Sequence, residues 1–525
     1  MNAKVLKLLS LVLALAMVLC VFAGCSGDKG DSSDEVETIY VDENGNPISL
    51  EDLNKDDDDT SSKADDKTES KDEATDDKND TSSKKGMSAA TQGNNKNNNK
   101  DNKVEKTGKT TFAADPYSEI PDSLKGTTVK VLLWRKPIKT DTELIAGFEK
   151  KTGIKVEVLY SEGKGNAYST KLASYMSSGE APDVINIGSD AFLSYLIKFL
   201  DPLDKEVFRL DDKIWNKSVM DIYKYNDKYY GLAVAGSWYC DDTSFVTYYN
   251  PKYLKDTLGI TTMPWDLYKA GKWTTKAVED IARKCKEKNP QNVGLSIATE
   301  FASNPYLLAA GQDFAKYDGK KYSSNLSNSV VLEKTRMLAQ WEDDKIVEDW
   351  DSAGLVSGKV ALFDAISYGM YVESNWWDID HATFDCVPVA GTHTPSNAKL
   401  WGVPKGAKNV EAAVYFMRYF LDPASYADTS FKSFKNTFAD EQMYDVWQEI
   451  TKASRPKGSN ISAGLLEYRD PGTYGKLKDA IDQTTAANVN TVLKSYAGEK
   501  GIMTLACNKA EKDLARAAKE PSYLK

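Results

Sequence analysis

Apolar and polar residues alternate from Thr128 to Trp134, with Val129, Val131 and Leu133 on one side. A period of two is that of a strand with one buried face. From Asp141 to Lys151 the spacing changes, and Leu144, Ile145 and Phe148 share one face of an expected helix. Thr140, Asp141 or Thr142 can cap its start and Gly153 its end. Ile154–Leu159 alternates again, Tyr168–Ser178 has helical spacing and stops at Gly179, and Asp183–Ile187 is strand-like. This β-α-β-α-β order predicts a parallel sheet with right-handed crossovers. In such sheets ligands bind beyond the carboxyl ends of the strands. The residues there are Trp134 and Arg135, then Ser161 and Glu162, then Ser189 and Asp190. Further along, Val278, Ile281, Ala282 and Cys285 form one stripe over 275–286. Asn409 can cap a helix that turns Ala412, Ala413, Phe416, Met417 and Phe420 inward and stops at Pro423.

The N-terminal pattern is of another kind. Lys4 and Lys7 precede an apolar run from Leu8 to Val21, too short for a confident bilayer span and typical of an export signal. The Phe22-Ala23-Gly24-Cys25 segment after it resembles the lipobox of bacterial lipoproteins, with Phe22 where Leu is more usual. The resemblance implies a signal peptide over 1–24, lipid on Cys25, and a chain held at the outer face of the cytoplasmic membrane. Cys20 fits less well because bulky Leu19 precedes it. From 25 to 118 the chain is mostly Asp, Lys, Ser, Thr and Asn, which bury too little to offset their ordering entropy. A disordered linker is expected, with an r.m.s. span of about 50 Å. Within it, Ile39, Val41, Asn44-Gly45 and Pro47-Ile48 suit a small hairpin.

Composition narrows the function. The chain has 525 residues, of which about 400 are globular in composition, more than one core holds. A formal net charge of -11 argues against a nucleic-acid partner. Cys240, Cys285, Cys386 and Cys507 show no CxxC spacing, so they are either one or two disulfides or buried thiols; the apolar setting of Cys285 favours thiols. The two histidines form no HExxH, and neither GxSxG nor GxxxxGK[ST] occurs. A metal site using His381 or His393 with Asp378 and Asp380 competes with a plain surface turn, which is the preferred reading. No enzyme activity, metal or cofactor is expected, although carboxylates are numerous enough for an acid/base pair.

Gly147-Phe148-Glu149-Lys150-Lys151-Thr152-Gly153-Ile154-Lys155-Val156 resembles the FEKxTGIKV run of extracellular solute-binding proteins of ABC importers, the maltose-binding-like type. Further similar segments follow in family order. They are Ser178–Val184, Tyr230–Val234, Val246–Leu254, Lys272–Thr274, Ser357–Leu362 and Leu400–Lys405. The resemblance implies an α/β, two-lobe, periplasmic-binding-protein-like (type II) fold with an interlobe cleft, behind the disordered tether. It places crossings near 244–248, 355–358 and 390–399. The expected lobes are 126–244 plus 357–395, and 245–356 plus 396–525. It further implies a monomer that captures a solute, by preference a carbohydrate, and delivers it to a membrane permease.

Six aromatic residues fall where the family holds its ligand: Trp134, Trp238, Tyr239, Tyr368, Tyr371 and Trp401, the last opening a second-lobe strand. A tryptophan face covering about 50 Å² of a sugar ring contributes roughly 1–1.5 kcal/mol. Glu162, Asp190, Asp241 and Asp242 are candidates to fix hydroxyls. Core packing is the competing role for each aromatic. Trp376 and Trp377 are weaker candidates, and the other tryptophans are expected to be structural. The alternatives are a surface-anchored glycoside hydrolase, with two carboxylates about 5–9.5 Å apart, a glycan sensor that does not transport, and a binder of peptide, polyamine or another small solute.

Overall fold

The computed structural model describes residues 120–519 with short interruptions, chiefly 162–166, 188–196, 299–303, 375–380 and 453–472, together with Tyr117 and the residue pairs 40–41 and 47–48. The chain divides into two units, Met1–Glu105 and Lys106–Lys525. In the first, β1 (Tyr40–Val41) and β2 (Pro47–Ile48) pair antiparallel, as the hairpin pattern predicts. Cys25 lies outside the described residues.

The second unit opens with β3 (Thr128–Leu133), α1 (Lys139–Thr152), β4 (Lys155–Tyr160), α2 (Ala167–Ser177) and β5 (Val184–Ile187). β3 pairs in parallel with both β4 and β5, the arrangement the alternation predicts. Its central place explains why Leu132, on the opposite face from Val129 and Val131, is buried as well. The first helix starts earlier than the capping residues suggest. Asp141 is its third residue and reaches back to accept the Ile138 N–H at 2.9 Å. Gly153 ends it at φ +73°, a left-handed conformation, and donates its N–H to Glu149 O.

The chain then runs through α3 (Trp238–Asp241), β6 (Thr243–Tyr249), α4 (Thr275–Lys288), β7 (Val293–Ile297), α5 (Pro305–Ala309), β8 (Ala315–Tyr317), β9 (Tyr322–Ser324), α6 (Ser329–Asp343), β10 (Val347–Asp349), α7 (Ser352–Ser357), β11 (Val360–Ile366) and β12 (Asp385–Pro388). A second sheet forms in the order β10-β7-β11-β6-β12, parallel from β10 to β11 and antiparallel from there to β12. The predicted stripe of α4 is buried against this sheet, and Thr274 caps the helix through the Ala277 N–H.

After β13 (Ser396–Asn397) the chain re-enters the first sheet. β14 (Leu400–Gly402) pairs antiparallel with β5, giving the order β14-β5-β3-β4. Among the described residues the helices that follow are α8 (Val410–Leu421), α9 (Glu441–Lys452), α10 (Thr473–Asp482), α11 (Val489–Ala497) and α12 (Ile502–Ala517). The apolar face of α8 is buried as expected. Asn409, however, makes no side-chain cap. The Asp183 carboxylate does that work, accepting the Lys408 and Asn409 N–H groups at 2.9 and 2.8 Å, and through its other oxygen the Lys130 N–H at 2.9 Å.

The expected lobe boundaries need correction. β11 and β12 lie in the second sheet, so 357–395 does not belong to the first lobe; β14 and Trp401 lie in the first sheet, so 400–402 does not belong to the second. No crossing falls at 355–358, because α7 turns directly into β11 through Gly358. The start of β6 and β13 pair antiparallel where the chain passes between the sheets, with Ser244 opposite Ser396 and Thr243 opposite Asn397, and the chain passes once more between α8, which packs on α1, and α9, which packs on β12. Cys240, Cys285, Cys386 and Cys507 are buried free thiols.

Candidate functional site

The short helix α3 ends beside the start of β6, where the chain leaves the first sheet for the second. This places Trp238 at the junction. Beyond β11 the chain makes a tight turn (Ser367–Met370) that brings Tyr368 and Tyr371 to the same place. The Trp238 ring lies 5.0 Å from that of Tyr371 and 6.2 Å from that of Tyr368, the latter pair inclined by only 20°. Tyr371 is held from behind by Phe438, at 4.7 Å. Together with Ile138 and Thr140 from the start of α1, and with Glu373, Ser374, Tyr426 and Thr437, these rings line a small, partly enclosed pocket. The space they enclose, the floor of the pocket, has room for about one water-sized group.

A buried polar network supports this wall. Asp141, 1 % exposed, accepts the Ile138 N–H, the Tyr239 hydroxyl at 2.6 Å, and an ion pair from Arg135. Burial works against the Arg135 charge, but Asp141 more than offsets it and holds the guanidinium above its ordinary pKa. Burial, and then Asp141, push the Tyr239 hydroxyl well above its ordinary value, so it stays a neutral donor. Removing any one of the three leaves a buried group unpaired. In the pocket itself, the Thr140 hydroxyl donates to the Glu373 carboxylate.

The model of the bacterial extracellular solute-binding protein family matches residues 143–434. This chain belongs to that family. No curated protein matches it. Among solved structures, the galacto-N-biose-/lacto-N-biose I-binding protein of the ABC transporter from Bifidobacterium longum is 14 % identical, with TM-score 0.51 over 76 % of this chain and 98 % of that one. The sugar-binding protein MalE from Xanthomonas citri is 17 % identical, with TM-score 0.50 over 70 % and 98 %. Maltose-binding periplasmic protein MalE from Listeria monocytogenes is 16 % identical, with TM-score 0.50 over 75 % and 99 %. These likenesses show a two-lobe sugar-binding-protein fold.

In this solute-binding protein the residues singled out from the sequence meet different fates. Trp238, Tyr368 and Tyr371 come together and line the pocket. Tyr239 stands behind them, its ring 4.6 Å from Trp238 and its hydroxyl spent on Asp141. Trp134 ends β3 and is 42 % exposed, with Lys399 Nζ 4.6 Å and the Arg135 guanidinium 5.5 Å from its ring centre. Trp401 packs in the core and does not line this pocket. It is 1 % exposed, its ring packs against Phe420 and Tyr239, and its indole N–H donates to Tyr239 O at 3.4 Å. Asp241 closes α3. Glu162, Asp190, Asp242, Trp376 and Trp377 lie outside the described residues.

The sequence reading missed Thr140, Glu373 and Tyr426. Glu373 follows Tyr371 by two residues and shares the signal that selected it, a segment just past a strand end. Tyr426 lies in a 3-10 turn (Pro423–Asp428) far along the chain, and nothing local marks it. His381 Nε2 bonds Gly369 O at 3.1 Å, and no group of three metal-ligating side chains occurs among the described residues.

Proposed function

We propose that this solute-binding protein is anchored through lipid on Cys25, captures a carbohydrate by preference an oligosaccharide, and hands it to the permease of an ABC importer. The observation that carries the reading is the aromatic wall of Trp238, Tyr368 and Tyr371 at the junction of the two sheets. Flat apolar faces at that point suit the C–H faces of sugar rings. Polar groups around them then discriminate between hydroxyl patterns, because a missing hydroxyl leaves a buried group unpaired. Support also comes from the structural neighbours, whose names give lacto-N-biose I and maltose as what they bind. Trp134 at the end of β3 gives a longer chain a second exposed ring, in keeping with an oligosaccharide. Binding without chemical change is the expected role, and the chain is expected to act as a monomer.

Calorimetric titration of the chain with α- and β-linked oligosaccharides, peptides and polyamines tests this. At least one glycan is expected to bind, and Tyr368→Ala is expected to weaken it about tenfold, the equivalent of about 1.4 kcal/mol. Tight binding of a peptide with no response to any glycan overturns the carbohydrate reading. Release of shorter glycans during the titration would favour the hydrolase instead.

A further inference from the structure

The floor of the aromatic pocket has a chemistry of its own. Glu373 is the one charged side chain among the residues described as lining it. The nearby Arg135 does not answer that charge, since it is paired with Asp141 in the wall. Thr140 gives Glu373 a single hydroxyl hydrogen, and a carboxylate has about four acceptor positions. Three sides of the remaining space are aromatic: Trp238, Tyr371 and Tyr426, which are 6 %, 4 % and 1 % exposed. The Tyr426 hydroxyl is close enough to interact with the Trp238 indole N–H and with the Tyr239 hydroxyl, although neither Trp238 nor Tyr426 completes a hydrogen bond of normal geometry. The floor therefore offers a carboxylate, ring faces, one hydroxyl able to accept and one N–H able to donate, around a space the size of one water molecule.

A sugar ring is too large for that floor. An ammonium group fits it in size and in charge. Ring faces carry negative potential and attract a cation within about 6 Å. Hydrogen bonds between an ammonium and a carboxylate are roughly twice as strong as neutral ones. A neutral hydroxyl in the same place leaves the carboxylate charge unanswered. The Trp238 N–H, which makes no hydrogen bond of full geometry, can donate to a hydroxyl or ring oxygen beside the amine. We infer that the solute places a protonated primary amine in this floor, next to a hydroxyl, so the preferred cargo is an amino sugar with its amine free. This rests on the carbohydrate reading and narrows it.

The test is a calorimetric comparison of α- and β-linked glucose trimers with their 2-amino and 2-acetamido counterparts on the whole chain. The free-amine trimer is expected to bind about tenfold or more tightly than either counterpart. In Glu373→Gln that advantage is expected to fall to within about threefold, with little change for the neutral trimer. Equal or tighter binding of the neutral or acetylated trimer overturns the inference and leaves the carbohydrate reading standing. An advantage that Glu373→Gln retains reflects the field of an acidic chain and also overturns it. If no trimer binds while a peptide does, both readings fall together. Should Glu373→Gln fail to fold, the comparison of ligands on the native chain still decides.

Discussion

Trp134 and Trp401 show how one residue type at similar sequence positions divides between solvent and core. Trp134 follows an apolar stretch and Trp401 a single leucine, and both lie at strands of the first sheet. Trp134 comes one residue after β3, where no neighbouring strand extends to cover it, and it stays 42 % exposed. Trp401 is the middle residue of β14, with Asn186 of β5 opposite and Phe420 of α8 over its ring. Alternation tells which way a side chain points, not what lies on that side, so the sequence could not separate the two. Their stabilities should. Trp401→Ala is expected to cost about 3–5 kcal/mol through the cavity it leaves. Trp134→Ala is expected to cost about 1 kcal/mol or less, the weight of its cation contacts at a partly exposed site. Urea unfolding of the two variants measures this, and equal losses would return Trp401 to the list of ligand contacts.

The elements themselves were largely legible. β3, α1, β4 and α2 appear within one or two residues of their predicted limits, because a two- or 3.6-residue period and a terminal glycine are local signals. β11 carries one residue that its pattern did not flag. Every residue from Val360 to Ile366 is buried, and among them sits Asp364. Thr247 of β6 and Tyr306 of α5 donate to its two oxygens at 2.5 and 2.6 Å. Burial outweighs those two bonds and raises its pKa from 3.8 to about 6. The folded state therefore holds this proton more tightly than the unfolded chain does. Its contribution to stability is complete below pH 3.8 and is lost as pH rises through about 6. A shift of this size corresponds to about 3 kcal/mol. Wild-type unfolding free energy is expected to fall by that order between pH 4 and pH 7 relative to Asp364→Asn, in which the group cannot ionise. Parallel pH profiles for the two proteins would show that Asp364 does not carry this dependence.

At the scale of the whole molecule, the sequence indicated two α/β lobes but misplaced their seams. Strand order within a sheet is set by pairings over a hundred residues or more, such as β14 with β5, and no local period encodes them. The start of β6 and the two residues of β13 run side by side at one seam, the chain crosses again between α8 and α9, and buried side chains of both sheets meet in one continuous core. The aromatic pocket takes residues from both sides of this seam, Thr140 from α1 of the first lobe and Tyr368 from the turn after β11 of the second. A solute that touches both gains most when the lobes are closed, and that difference in affinity is what drives closure. Donor and acceptor dyes at Lys150→Cys on α1 and Lys288→Cys on α4 report the angle, since both positions are exposed. Energy transfer is expected to change along the same saturation curve as calorimetric binding. At about 100 times the dissociation constant the ligand is also expected to stabilise the fold by about 2.7 kcal/mol. Stabilisation follows from binding alone, whereas the change in transfer requires motion. Full stabilisation with unchanged transfer would mean that the solute settles into a rigid pocket, and that β6 and β13 are struts instead of hinges.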